Sequence, residues 1–320
     1  MAIPRKSLGT FSRRAFARIV AGAAAALRSD GGEPTRPGPL TWASERTATR
    51  SVECTYRADA QIYLLGVPLL RREGVGGGSV AWREYNDGGA LRLLEFAGFS
   101  TPERAAGLNR MGTIRELVRL ARGGGGESIY FGVMTSSGEE TPEEARKALH
   151  STASEQAYTA IDGRISASQT ETATAHFMAP AAIRGDHRAE LMDLARRALA
   201  GEEKHTDAGP AGGLAQSFLQ ALAELLSTPN SAENRYIYSG RPYRLHLART
   251  PDASATTHFC ERRIISQTTR VVRVSGSVRR EAGGKETDFR LWIAEGASPP
   301  LPLRIEYQAK SYLRLVFEAV

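Results

Sequence analysis

From Val52 onward, apolar and polar positions alternate with period two in many short runs. Val52, Cys54, Tyr56, Ala58, Ala60 and Ile62 fall on one side of an extended segment. Glu53, Arg57, Asp59 and Gln61 fall on the other, which predicts a strand with one face toward solvent. Arg235 to Tyr238 and Tyr243 to Leu247 flank Ser239-Gly240-Arg241-Pro242, so a turn there puts Tyr236 and Tyr238 on the side of Tyr243, Leu245 and Leu247. Asp162-Gly163 reads as a second hairpin turn. Near the end of the chain, Phe289/Leu291/Ile293, Leu303/Ile305/Tyr307 and Leu313/Leu315/Phe317/Ala319 predict a three-stranded antiparallel meander.

Helical spacing interrupts these strands in four places. Thr101-Pro102-Glu103 reads as a helix start, with Leu108, Met111, Ile114, Leu117, Val118 and Ala121 following. Thr141-Pro142-Glu143-Glu144 repeats that signal before Ala145 to Leu149. Leu191 to Leu199 forms a third amphipathic run, closed by Gly201, and Leu214 to Leu226 a fourth, ending before Pro229. Strands outnumber helices and do not alternate with them. The expected class is therefore α+β, a large curved antiparallel sheet or open barrel with about four helices packed on it. Asp207 to Gly213 marks a possible subdivision, against a single domain over residues 52–320 with a long surface loop there.

Charge changes the picture at one end only. The chain carries +7, from 42 Lys and Arg against 35 Asp and Glu. Arg5, Lys6, Arg13, Arg14, Arg18 and Arg28 lie before the first acidic residue, Asp30, which leaves 36 basic against 35 acidic side chains in the rest. A nearly neutral body gives no basic footprint for nucleic acid. Within that leader, Ser12-Arg13-Arg14-Ala15-Phe16-Ala17-Arg18 resembles a twin-arginine export signal, and Ile19 to Leu27 follows as a short, alanine-rich apolar run. The run is too short to span a bilayer, which takes about 20 apolar residues, so the mature chain is expected to have no transmembrane helix. The resemblance implies residues 1–28 as export signal, with Ser12, Arg13, Arg14, Phe16 and Arg18 as its targeting residues. It also implies the twin-arginine export machinery as a partner and a periplasmic or otherwise exported location. A mitochondrial presequence (matrix location, in a eukaryotic source) and an untargeted or membrane-surface basic tail are the other readings of an acid-free, Arg-rich leader. Residues 29–51, with three prolines and three glycines, read as an unpacked linker.

The segments Tyr236-Ile-Tyr238-Ser-Gly240-Arg-Pro-Tyr243, Phe289-Arg-Leu-Trp292-Ile and Pro300-Leu-Pro302-Leu-Arg304-Ile-Glu306-Tyr307 resemble the bacterial domain-of-unknown-function 3108 family. So do the helix Leu214 to Leu226 and the opening strand Tyr56 to Leu70, which contains Leu65-Gly66-Val67-Pro68. The resemblance covers about a third of the body. It implies an exported protein of antiparallel β architecture and brings no catalytic residues with it.

Candidate chemistry is sparse. No Gly-x-Ser-x-Gly elbow occurs, and the glycines at 74–78 and 123–126 fit neither a dinucleotide nor a P-loop spacing, reading instead as hairpin tips. His246, His258 and Cys260 would offer zinc two imidazoles and a thiolate if residues 243–248 and 256–265 pair about Asp252; solvent-facing histidines are the alternative. Cys54 and Cys260, the only cysteines, form one disulfide or remain two buried free thiols. Glu139-Glu140 and Glu143-Glu144 read as helix-start acids rather than a glycosidase pair. No cofactor or catalytic residue is expected. The lead expectation is a non-catalytic envelope protein that binds or carries an apolar or amphipathic small molecule. The alternatives are an envelope protein that docks a partner chain and a hydrolase of unrecognised type.

Overall fold

The computed structural model describes residues 40–42, 48–64, 67–86, 90–105, 107–120, 126–136, 152, 154–166, 168–208, 217–238, 240–283, 286–310 and 313–320. The targeting residues 12–18, the acidic pairs at 139–144 with the second expected helix, and the glycines at 123–125 lie outside these.

The described chain forms fourteen antiparallel strands in one open sheet. The first eight are β1 (Arg50–Leu64), β2 (Val67–Asn86), β3 (Ala90–Ser100), β4 (Met111–Leu120), β5 (Glu127–Thr135), β6 (Glu155–Ile165), β7 (Gln169–Pro180) and β8 (His205–Ala208). The remaining six are β9 (Glu233–Tyr238), β10 (Arg241–Pro251), β11 (Val271–Arg280), β12 (Thr287–Ala294), β13 (Pro302–Lys310) and β14 (Leu313–Ala319). Three α-helices accompany them: α1 (Arg188–Leu199), α2 (Phe218–Ser227) and α3 (Ala253–Glu261). The spatial order runs from β8 back to β1, then from β14 back to β9. Every neighbour is thus a sequence neighbour except β1 and β14, which pair from Tyr56 with Ala319 to Ile62 with Leu313. The sheet curls, so that Tyr130, Ile161 and Ile165 of β5 and β6 pack against Ile237 of β9 from the far end.

The alternation rule holds where one face is wet. β1, the β9–β10 hairpin and the β12–β13–β14 meander form as the pattern predicts, with Tyr243 opposite Tyr236. Their apolar rows join one core around α2, to which Tyr56, Leu94, Phe96, Leu245, Leu291 and Phe317 contribute. α1 covers the opposite side of β4 to β7, packing Leu191 and Met192 with Met111, Phe131, Val133 and Tyr158. No described helix is long and apolar enough to cross a membrane.

Several expectations are corrected. In the run expected as a helix from Thr101, the described residues are a turn at 102–105 followed by strand β4, because both faces of Met111–Val118 are covered and the alternation disappears. With the 141–149 segment undescribed, three α-helices stand among the described residues rather than four. Asp162-Gly163 lies within the unbroken strand β6, where the Tyr130 ring occupies the space a Cβ on Gly163 would need. Residues 74–78 are not a hairpin tip but the middle of β2. A Cβ on Gly78 would stand 2.6 Å from the Ala97 carbonyl of β3, so glycine permits that close approach. The stretch Tyr56 to Leu70 is two strands, since Leu64 already pairs with Val67. Residues 256–265 hold the end of helix α3, not a strand: the Asp252 carboxylate accepts the Ala255 N–H at 2.9 Å and caps it. β10 pairs with β11 instead. The expected linker is structured at its end, where Leu40 is buried beside Leu91, Leu93 and Leu117, and Arg50 opens β1. Near the suggested subdivision, Asp207 and Ala208 belong to β8, on the same continuous sheet.

Candidate functional site

The interior of the curled sheet is the place to look, and α2 fills most of it. Its sequence, FLQALAELLS, is apolar except for the stripe Gln220, Glu224 and Ser227, and eight of its ten residues are buried. A helix with so wide an apolar face belongs inside a protein, and that is where this one sits.

Both ends of α2 are held from the sheet. At its N-terminus the Ser217 hydroxyl donates to the Glu116 carboxylate of β4, while Glu116 Oε1 accepts the Leu219 N–H at 3.2 Å. A carboxylate from a strand therefore does the work that a local cap usually does, and it places negative charge against the positive end of the helix dipole. Glu116 is 2% exposed. Its burial pushes its carboxyl up to about 7, against the opposing pull of the Ser217 hydroxyl and the Leu219 and Gln220 N–H groups. At the C-terminus, the Arg249 guanidinium of β10 donates to the Leu225 carbonyl and, at 3.1 and 3.2 Å, to the carbonyls of Pro229 and Ser231. A cation there complements the other end of the dipole.

A second charged group lies on the same inner face. Arg92 of β3 is 4% exposed and stacks on Trp82, with its Cζ 4.7 Å from the ring centre. Its Nη2 is 3.5 Å from Glu84 Oε1, which also accepts the Trp82 indole N–H at 3.0 Å. Burial disfavours the Arg92 charge, and Glu84 and Glu224 support it. Among the described residues, Arg92 Nε and Nη1 have no hydrogen-bond partner. A buried guanidinium whose Nε and Nη1 make no hydrogen bond to the described residues is costly to fold.

Beside this pair an apolar cavity of about 40 Å³ opens between α2 and the sheet, lined among others by Trp82, Leu94, Phe96, Phe218, Leu222 and Leu291. As it stands this holds about one water-sized body. A larger guest requires α2 to move.

The residues named from sequence do not converge. His246 faces away from α2 on β10, opposite Ser277, not His258. His258 lies on α3 with its Nε2 3.1 Å from Glu318, and Cys260 Sγ points to the Ser266 carbonyl. No metal-holding group of His, Cys, Asp and Glu occurs among the described residues. The two cysteines are both free. Cys54 packs against the core around α2, while α3 and Cys260 sit over Trp292 and Val271 in a separate cluster. Glu116, Arg249 and Arg92 were missed because no local pattern flags them: Glu116 and Ser217 meet across 101 residues. Comparison with protein-family models, with the curated proteins and with the solved structures gives no match to this chain.

Proposed function

We propose that this chain is an exported, non-catalytic binding protein. Its ligand is an amphipathic small molecule held between α2 and the concave face of an open barrel. The observation that carries this reading is the apolar cavity on Trp82 and Leu94 next to a buried Arg92 with unused donors. An apolar wall with a few convergent polar groups is the usual make-up of a small-molecule site. The apolar part of the ligand displaces Leu222 of α2 from Leu94 of β3, and its polar head meets Arg92. Native mass spectrometry of the protein purified from its own cell envelope should show a discrete adduct that is lost on denaturation. A bare chain mass would overturn the reading.

Export rests on Arg13 and Arg14. Replacing both by lysine should leave the chain in the cytoplasm on cell fractionation, and unchanged export would exclude the twin-arginine route. A second reading, docking of a partner chain, is favoured by the exposed leucines on β2, where Leu69 is 62% and Leu70, on the other face of the strand, 55% exposed.

A further inference from the structure

A hollow larger than the interior cavity lies on the outer face of the sheet. A groove of about 410 Å³ crosses β10 to β14, within the roughly 300–1,000 Å³ of small-molecule sites. Two cross-strand rows build it. In one, His246 stands opposite Ser277, and Ser277 opposite Asp288. In the other, Ala248 stands opposite Ser275, Ser275 opposite Arg290, and Arg290 opposite Glu306. The hollow arises because Ala248, Ser275 and Ser277 are small, while the longer His246, Asp288, Arg290 and Glu306 stand around them. α3 packs over Trp292 and Val271 further along and leaves this part of the face uncovered.

The charges of the groove cancel. Asp288 and Glu306 are matched by Arg290 and Arg314. Glu306 is already engaged: its Oε2 lies 3.7 Å from Arg290 and 3.6 Å from Arg314, and its Oε1 lies 2.5 Å from Arg304. An anion entering here meets two carboxylates and a cation meets two guanidiniums, so neither gains a net field. What remains is a dense set of donors and acceptors over a shallow floor: hydroxyls at Ser275 and Ser277, the His246 ring, the Asp288 carboxylate and the Arg290 guanidinium. No hydrogen bond joins His246 to Ser277 among the described residues, so the pair is not set up as base and nucleophile.

We infer that this groove binds a neutral, hydroxyl-rich ligand, an oligosaccharide. The inference is independent of the ligand proposed for the interior, because the two sites lie on opposite faces of the sheet.

Saturation-transfer NMR on the full chain with maltotriose, cellotriose and chitotriose tests it, with citrate and spermine as charged competitors. At least one sugar should give a signal that neither competitor removes. Ser275→Trp, which fills the floor from an exposed position, should abolish that signal with an unchanged circular dichroism spectrum. Asp288→Ala, a change that adds no bulk, should weaken binding at least tenfold. Silence from all three sugars, a signal that survives Ser275→Trp, or displacement by citrate or spermine would overturn the inference.

Discussion

Replacing Glu116 by glutamine should raise the melting temperature at pH 8 by about 5 °C and leave it unchanged near pH 4. The ordinary glutamate value near 4.5 applies to the unfolded chain, and burial lifts the folded value to about 7. A group whose folded value is raised binds more protons in the folded state between those two limits. Its contribution to stability is therefore complete below about pH 4.5 and is lost as pH rises through about 7. The loss is about 3 kcal/mol, from roughly 1.4 kcal/mol per pH unit. Glutamine keeps an oxygen for the Leu219 N–H and offers its amide to Ser217, so the variant loses the charge but not the cap. Thermal melts of both proteins from pH 4 to pH 8 isolate this group, because all other titrations are common to the two. A variant less stable than the parent at pH 8 would mean that the negative charge on the helix end outweighs its burial.

Leu222→Ala should destabilise the protein by about 3 kcal/mol and at the same time strengthen uptake of an apolar probe. Leu222 is 5% exposed on α2 and lines the interior cavity. Truncating a buried leucine costs roughly 2–5 kcal/mol, part of it for the void that remains. Here the void adds to space already present beside Trp82 and Leu94, so the site opens without α2 leaving its place. Urea unfolding measures the first effect. Tryptophan quenching by a naphthylamine probe measures the second, since Trp82 lines the cavity. A destabilised variant with no gain in probe binding would mean that the interior collapses around the missing methyls and serves only as packed core.

The elements that were legible in the sequence share a physical situation. β1, β9, β10 and the last three strands each have a polar outer face and an apolar inner one, so their pattern reports their geometry directly. α2 was legible because seven of its ten residues are leucine, alanine or phenylalanine, and with a proline beyond they leave few other outcomes. β4 was illegible for the opposite reason. Ile114 and Val118 face α2, while Met111 and Leu117 face Leu40 and α1, so apolar residues fall on both sides and mimic a helical period. α3 was mistaken for a strand because Thr256, Thr257 and Phe259 favour extended chain, and the Asp252 cap outweighs that preference. The site was the least legible part. Arg92 looks like an ordinary polar position, and Glu116 like the polar side of the helix expected over residues 101–121; only the curl of the sheet puts them indoors.

The pairing of β1 with β14 sets a schedule for biogenesis. The strands from β1 to β8 and those from β9 to β14 are two meanders, each made of contacts between sequence neighbours, which form quickly. They are joined within the sheet only across β1 and β14, some 260 residues apart along the chain. While the ribosome is still making the second meander, β1 presents an open strand edge, and α2, made before β9, still lacks Leu245, Leu291 and Phe317 to pack against. Such an edge invites pairing with other chains. That edge needs shielding until Leu313–Ala319 has been synthesised and docked, and the time spent waiting for one short strand is when the chain is most exposed to aggregation and proteolysis.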